Sequence, residues 1–234
     1  MHHGTQRALT TLIALCLFPP LTAYAQDSPA PGRSPSEGID LPDRSVAAQD
    51  DAASVEVNPA GLGFLSRAEA MYTFQLATPD FERTVDDGQA LFLAAGFGGL
   101  GVGFGAQWLF HPDVNRSASY RKFTFGAGIG DGRFISLGAN LNVFGSDVDP
   151  VLDEARSVDL GLQARLGENV ALGLFARDVN TPFVAASDDL EDNRLISVPR
   201  QLALSAILRF WDGRILIDPE IRLTQDTDGL VFVP

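Results

Sequence analysis

From residue 68 almost to residue 223, hydrophobic residues alternate with polar or small ones, the two-residue period of strands with one apolar face. In 133–144, Ile135, Leu137, Ala139, Leu141 and Val143 fall on one side, and Ser136, Gly138, Asn140 and Asn142 on the other. Segment 156–166 repeats the pattern, with Val158, Leu160, Leu162 and Ala164 opposing Asp159, Gly161, Gln163 and Arg165. In 99–110, Leu100, Val102, Phe104, Ala106 and Trp108 oppose four glycines and Gln107. The alternation predicts nine strands: 68–78, 88–97, 99–110, 119–129, 133–144, 156–166, 169–178, 199–210 and 214–223, with the start of a tenth at Leu230-Val231-Phe232. Most run about 10 residues, the length at which a tilted strand crosses a bilayer.

The connections alternate as well. Gly98-Gly99, Gly130-Asp131-Gly132, Gly167-Glu168 and Asp212-Gly213 read as tight hairpin turns. Between them lie long acidic links at 79–87, 111–118, 145–155 and 179–198. Tight turns at one end and long loops at the other mark an outer-membrane barrel. Phe97, Phe134, Phe210 and Trp211 fall near the short-turn end, and Trp108, Phe110, Tyr120 and Phe144 near the other, as two aromatic girdles require. The expected fold is therefore all-β, an antiparallel transmembrane β-barrel of about nine to ten strands over 67–234. Pro219, inside the last of the nine, cannot donate to a ladder and predicts a bulge or an edge there.

Residues before the strands follow different rules. Arg7, the apolar run Ala8 to Leu17, and Ala23-Tyr24-Ala25 predict a signal peptide over 1–25, removed before Gln26. Residues 26–49 are rich in Pro, Ser, Asp and Gly and predict a flexible, periplasm-exposed leader. Residues 50–66 predict a short helix that turns at Asn58-Pro59, because proline disfavours a helical residue before it.

Composition removes other chemistries. The net charge of −13 argues against a nucleic-acid partner. Cys16, the single cysteine, lies within the expected signal peptide, and His111, beside Pro112, reads as a solvated loop residue. The Gly-x-Gly repeats sit inside alternating strands and do not open a helix, so they are not dinucleotide fingerprints. No nucleophile or metal-protease motif is visible, and neither enzyme activity nor a cofactor is expected. The acid pairs Asp188-Asp189 and Asp226 with Asp228 lack a calcium-loop frame and read as solvated. On the polar faces, Asp159, Arg165, Arg177, Arg209, Asp218, Glu220 and Arg222 are candidate lumen-facing charges, either tuning a pore or forming a structural network.

Asp50-Asp51-Ala52, Val55 and Asn58-Pro59-Ala60-Gly61-Leu62, just ahead of the first strand, resemble the N-terminal signature of the FadL/PorV family of outer-membrane proteins. The resemblance implies a hatch inside the barrel carried by Asp51, Asn58, Pro59 and Gly61. Gly61 and Gly63 permit close approach to the wall, and the glycine-lined strands 99–110 and 119–129 leave room for it. On the FadL side it implies uptake of hydrophobic small molecules; on the PorV side, a scaffold whose external loops bind a protein partner, with 179–198 as the contact. Family barrels have more strands than this chain offers, so the chain is also expected to be the front part of a longer architecture, such as a peptidase fusion. Expected surroundings are outer-membrane lipid.

Overall fold

The computed structural model describes residues 36–39, 41, 44–75, 87–113, 116–146, 153, 155–180, 183–184, 196–197, 200–211, 214–226 and 229–233. The signal-peptide expectation and most of the long loops lie outside these residues. The described chain opens with an inner segment, residues 36–65. It contains one helical turn, α1 (Ser54–Val57), and a 3-10 helix at Pro59–Phe64. Between the two, Asn58 is extended at φ −163° and ψ 108°, as a residue before proline prefers.

The strands come next: β1 (Ala68–Gln75), β2 (Asp87–Gly96), β3 (Leu100–Asp113), β4 (Arg116–Gly130), β5 (Ile135–Ser146), β6 (Arg156–Leu166), β7 (Val170–Arg177), the short β8 (Phe183–Val184) and β9 (Ile196–Ser197), β10 (Gln201–Phe210), β11 (Ile215–Ile217), β12 (Glu220–Asp226) and β13 (Gly229–Val233). All but β8 and β9 form one antiparallel sheet, ordered β1-β2-β3-β4-β5-β6-β7-β10-β12-β13 with β11 also on β10. The all-β antiparallel expectation holds. The sheet is open, because β1 and β13 each pair on one side only among the described residues.

Each predicted strand has a counterpart, with ends moved by a few residues. The largest shift is at the β3–β4 hairpin, where the ladder continues through His111↔Ala118 and Pro112↔Ser117. His111 is therefore a strand residue and not a loop residue. Among the described residues β2 pairs only as far as Asp87↔Phe110, so Pro112 lies beyond the last β2 rung, where proline takes no donor from that ladder. Pro219 interrupts the strand opposite β10, yet β11 and β12 keep one continuous register, Leu208↔Ile217 and Ser205↔Glu220. The glycine turns adopt positive φ at Gly98, Gly99, Gly132 and Gly167. At the β4–β5 turn, Asp131 Oδ1 accepts the N–H groups of Arg133, Phe134 and Ile135 at 2.8, 2.6 and 3.1 Å. Those bonds favour the charged form and hold its carboxyl below the usual range.

The outward face is apolar, and the inward face mixes polar and apolar groups. The outward face carries exposed Leu93, Val102, Phe125, Ile129, Leu137, Leu141, Leu160, Leu172, Leu204 and Ile221. The inward face carries buried Gln107, Lys122, Thr124, Asn140, Asn142, Ser157, Asp159 and Gln163 beside buried Phe92, Leu109, Tyr120, Phe144, Phe175 and Ile207, which pack on apolar residues of the inner segment such as Val55, Leu62 and Val46. Arg121 and Arg156 stand outward near the loop end. Between them and the tight turns, the outward positions of β3 to β10 carry no charge.

The sheet curls around the inner segment. Arg44 reaches Met71 Sδ on β1 at 3.5 Å, while the next residue, Ser45, bonds Ser205 Oγ on β10 at 3.0 Å. On a flat sheet those two strands would lie seven spacings apart, about 33 Å. Consecutive residues cannot span that distance.

Candidate functional site

Two layers of contact hold the inner segment against the wall. The first is backbone against glycine. Gly96, Gly101, Gly128, Gly138 and Gly161 stand side by side on β2 to β6, one per strand in a single cross-strand row. The backbone around Asn58–Leu65 lies directly on this row. A Cβ at Gly96 would stand 2.1 Å from the Leu65 carbonyl oxygen, and one at Gly101 would stand 1.9 Å from that of Leu62. At Gly138 it would meet the Pro59 carbonyl carbon at 2.2 Å, and at Gly161 the Asn58 side-chain oxygen at 2.0 Å. Only glycine leaves space for this approach. The segment's own Gly61 repeats the device against the Gln49 carbonyl, at 2.0 Å.

Asn58 is fully buried and satisfied through both ends of its amide. Its Nδ2 donates to Val46 O at 2.8 Å, and more weakly to Leu162 O and Leu174 O at 3.4 Å. Its Oδ1 accepts from Ala60 N at 3.1 Å and caps the 3-10 helix that Pro59 begins. Asp51 plays a local part. It bonds Ala53 N at 2.8 Å and also takes Arg44 and the Gln49 amide.

The second layer is a buried charge cluster centred on Glu56 of α1. Lys122 Nζ from β4 sits 2.8 and 2.9 Å from its two oxygens. Gln107 Nε2 from β3 donates at 2.6 Å, and Arg177 from β7 stands at 3.5 Å. Glu56 and Lys122 are 5% and 1% exposed, so this pair is cut off from water. Burial opposes ionisation of Glu56, but the Lys122 and Arg177 charges and the bonds from Lys122 and Gln107 outweigh it and hold the carboxyl below its usual 4.5. Lys122 is the only lysine among the 234 residues.

Beside the cluster, Asp159 accepts from Asn142 Nδ2 at 2.6 Å and from the backbone N–H of Asp178 at 2.9 Å. Asp178, held at φ 56°, accepts a hydrogen bond from Ser36 at the start of the inner segment. Burial pushes its carboxyl up against the pull of that bond, and the neighbouring Asp159 adds to the rise.

The sequence-predicted charges therefore do not form one ladder. Asp159 and Arg177 belong to the buried cluster. Arg165 ties to Asp50 at 2.7 Å and lies over the Phe64 ring at 3.9 Å. Asp218 accepts from Ser45 Oγ at 3.0 Å. Arg209 donates to Glu168 O at 3.3 Å near a tight turn, and Arg222 pairs locally with Glu220 at 2.5 Å. Sequence reasoning missed Glu56, Gln107 and Lys122. A lone lysine on a polar strand face, facing a segment with a single acid in its helical turn, was the available signal.

Residues 36–49 also depart from the expected exposed leader. Ser36, Ile39, Ser45, Val46, Ala47 and Gln49 are buried against the wall. Val46 O accepts from Gln163 Nε2 at 3.0 Å, and Ile39 N donates to Gln107 Oε1 at 2.7 Å.

No family model matches this sequence, and no curated protein or solved structure matches it.

Proposed function

We propose that the chain is an outer-membrane β-barrel protein whose interior is occupied by its own N-terminal segment. The observation that carries this reading is the outward face, apolar and uncharged across the middle of β3 to β10, while the charged groups of that stretch are turned inward. In water, that many exposed leucines and phenylalanines on one uncharged surface would drive association; in hydrocarbon they are the solvated side. On β5 the band from Ile135 to Val143 covers about 27 Å of strand. Tilted by about 40°, it is roughly 20 Å tall, near the ~25 Å apolar belt of such barrels. A bilayer also tolerates no open edge, so β1 and β13 must find partners there. Their antiparallel sense along a ten-strand path allows them to pair with each other or with another copy.

Two roles fit this architecture. A scaffold or partner-binding barrel is favoured by the dense polar packing between the inner segment and the wall. Uptake of hydrophobic small molecules, which the FadL-like Asp51, Asn58, Pro59 and Gly61 suggest, requires the inner segment to move.

The test is fractionation of the expressed chain, then gel migration with and without boiling. Recovery in the outer membrane with a heat-dependent shift is expected. The variant Leu141→Arg places a charge in mid-band at a cost of about 2–4 kcal/mol and should abolish the shifted form. Soluble protein unaffected by that substitution would sink the proposal.

A further inference from the structure

Two charges break the outward face, and both are positive. Among the described residues, Arg121 on β4 and Arg156 on β6 are the only charged residues at outward register positions of β3 to β7 and β10, and both are exposed. The chain as a whole carries a net charge of −13, so its acids are kept off this face while two cations are placed on it.

The register sets the two arginines near each other. Arg121 stands opposite Gly145 on β5, and Arg156 stands opposite Val143, two residues further along the same strand. Two strand spacings and a two-residue offset put their Cα atoms about 12 Å apart. Gly145 brings no side chain between them, and a Cβ there would meet nothing within 4 Å. Trp108 on β3 pairs with Arg121 from the other side and is also exposed. Towards the tight turns, exposed Phe125, Leu141 and Leu160 continue the apolar face.

A guanidinium group binds phosphate oxygens through paired N–H donors, and two arginine side chains can lean together over the bare patch at Gly145. Arg121 also holds a contact within the protein; its five donors leave room for a second partner. Tryptophan and arginine at the border of an apolar band stand at headgroup level in a bilayer.

We infer that Arg121 and Arg156 bind the phosphate of an anionic bilayer lipid whose acyl chains lie along Phe125, Leu141 and Leu160. A free phosphate offers the arginines the same chemistry but leaves the adjoining apolar run unused. The inference rests on the membrane reading above, since these side chains meet lipid only there.

The test uses the full chain in neutral detergent, after heat-dependent migration has been verified for every variant, so that a failed barrel is told apart from a failed site. The calorimetric titrants are dioctanoyl phosphatidic acid, dioctanoylglycerol, which lacks the phosphate, and inorganic phosphate. Phosphatidic acid is expected to bind saturably at one site, about tenfold or more tighter than either of the others. Arg121→Gln and Arg156→Gln should each weaken it about tenfold, as the loss of one charge-assisted partner implies. Gly145→Glu sets a carboxylate between the two guanidinium groups and should abolish binding. Arg133→Gln removes the same charge from the tight-turn end and should change nothing. Equal binding of dioctanoylglycerol or inorganic phosphate overturns the inference. So does undiminished binding by Arg156→Gln, an equal loss in Arg133→Gln, or no saturable binding by heat-shifted protein.

Discussion

Replacing Glu56 by glutamine removes one charge and almost no volume, so it isolates the electrostatic part of the inner segment's attachment. Gln107 can still bond the new amide, but Lys122 and Arg177 are left as buried cations without their shared counter-ion. Removing one partner of a buried pair costs about 3–5 kcal/mol. The inner segment must open for that strain to be relieved, because Lys122 lies beneath α1 at 1% exposure. Lys122 is also the only lysine, so an amine-reactive acylating reagent followed by mass spectrometry reports this one position, with the α-amino group as internal reference. If labelling proceeds through the opened form, a loss of about 3–5 kcal/mol raises its rate by roughly two to three and a half orders of magnitude, at about 1.4 kcal/mol per tenfold. Wild-type Lys122 should label far more slowly than the α-amino group when rates are corrected for intrinsic reactivity. Ser45 and Ser205 have hydroxyl oxygens 3.0 Å apart. A Ser45→Cys/Ser205→Cys disulfide added to Glu56→Gln should therefore restore protection until it is reduced. Equal labelling of wild type and Glu56→Gln would refute the reasoning, because the carboxylate would then contribute nothing to closure.

The same geometry sets further outcomes. Because the folded pKa of Glu56 is depressed, its contribution is fully present above its ordinary pKa and is lost as pH falls through the lower folded value. Closure of the inner segment should therefore stay level from neutral pH down to about 4.5 and weaken progressively below it, as hydrogen exchange of the α1 amides at stepped pH would show. Gly161→Ala drives a methyl into the Asn58 amide, whereas Gly145→Ala meets nothing within 4 Å. The first should destabilise by about 1–3 kcal/mol or more and the second should be near neutral, measured as the shift in the temperature at which the heat-modifiable form is lost. Asn58→Ala leaves the N–H of Ala60 without its side-chain partner and removes one of the two side-chain donors to Val46 O, which keeps Gln163; a loss of about 1–3 kcal/mol is expected in the same assay.

The wall was legible because strand alternation is a local property. Ile135 to Val143 declares its apolar face without reference to any other segment, and the glycine turns declare where the chain reverses. The interior was not legible in the same way, because the side chains that matter come from distant strands. Glu56 appears in sequence as one acid in an apolar helical turn, and Lys122 as the second of two adjacent cations, after Arg121, among the aromatics of Tyr120 to Phe125. Their meeting depends on the curl of the sheet, which brings β3, β4 and β7 to one carboxylate. Of the seven charges picked out, Asp159, Arg165, Arg177 and Asp218 meet the inner segment or its buried cluster, whereas Arg209, Glu220 and Arg222 bond only within the wall among the described residues.

The leader shows why composition misled at one point. A run rich in serine, proline, aspartate and glycine usually cannot bury enough apolar surface to order itself in water. That argument assumes a core made of hydrocarbon. Here the core is a mixed surface: Gln107, Gln163 and Ser205 take partners from the segment, and the segment's Ile39, Val46 and Ala47 join apolar clusters with wall residues such as Phe92, Phe175 and Ile207. A segment suited to that surface needs polar groups and small apolar ones close to the wall; Ser36, Ser45 and the carbonyl of Val46 supply the first, and Ile39, Val46 and Ala47 the second. The composition that signals disorder against water is the one that fits against such a wall. A long run of strands with an apolar exposed side, placed directly after such a leader, is what separates the second case from the first.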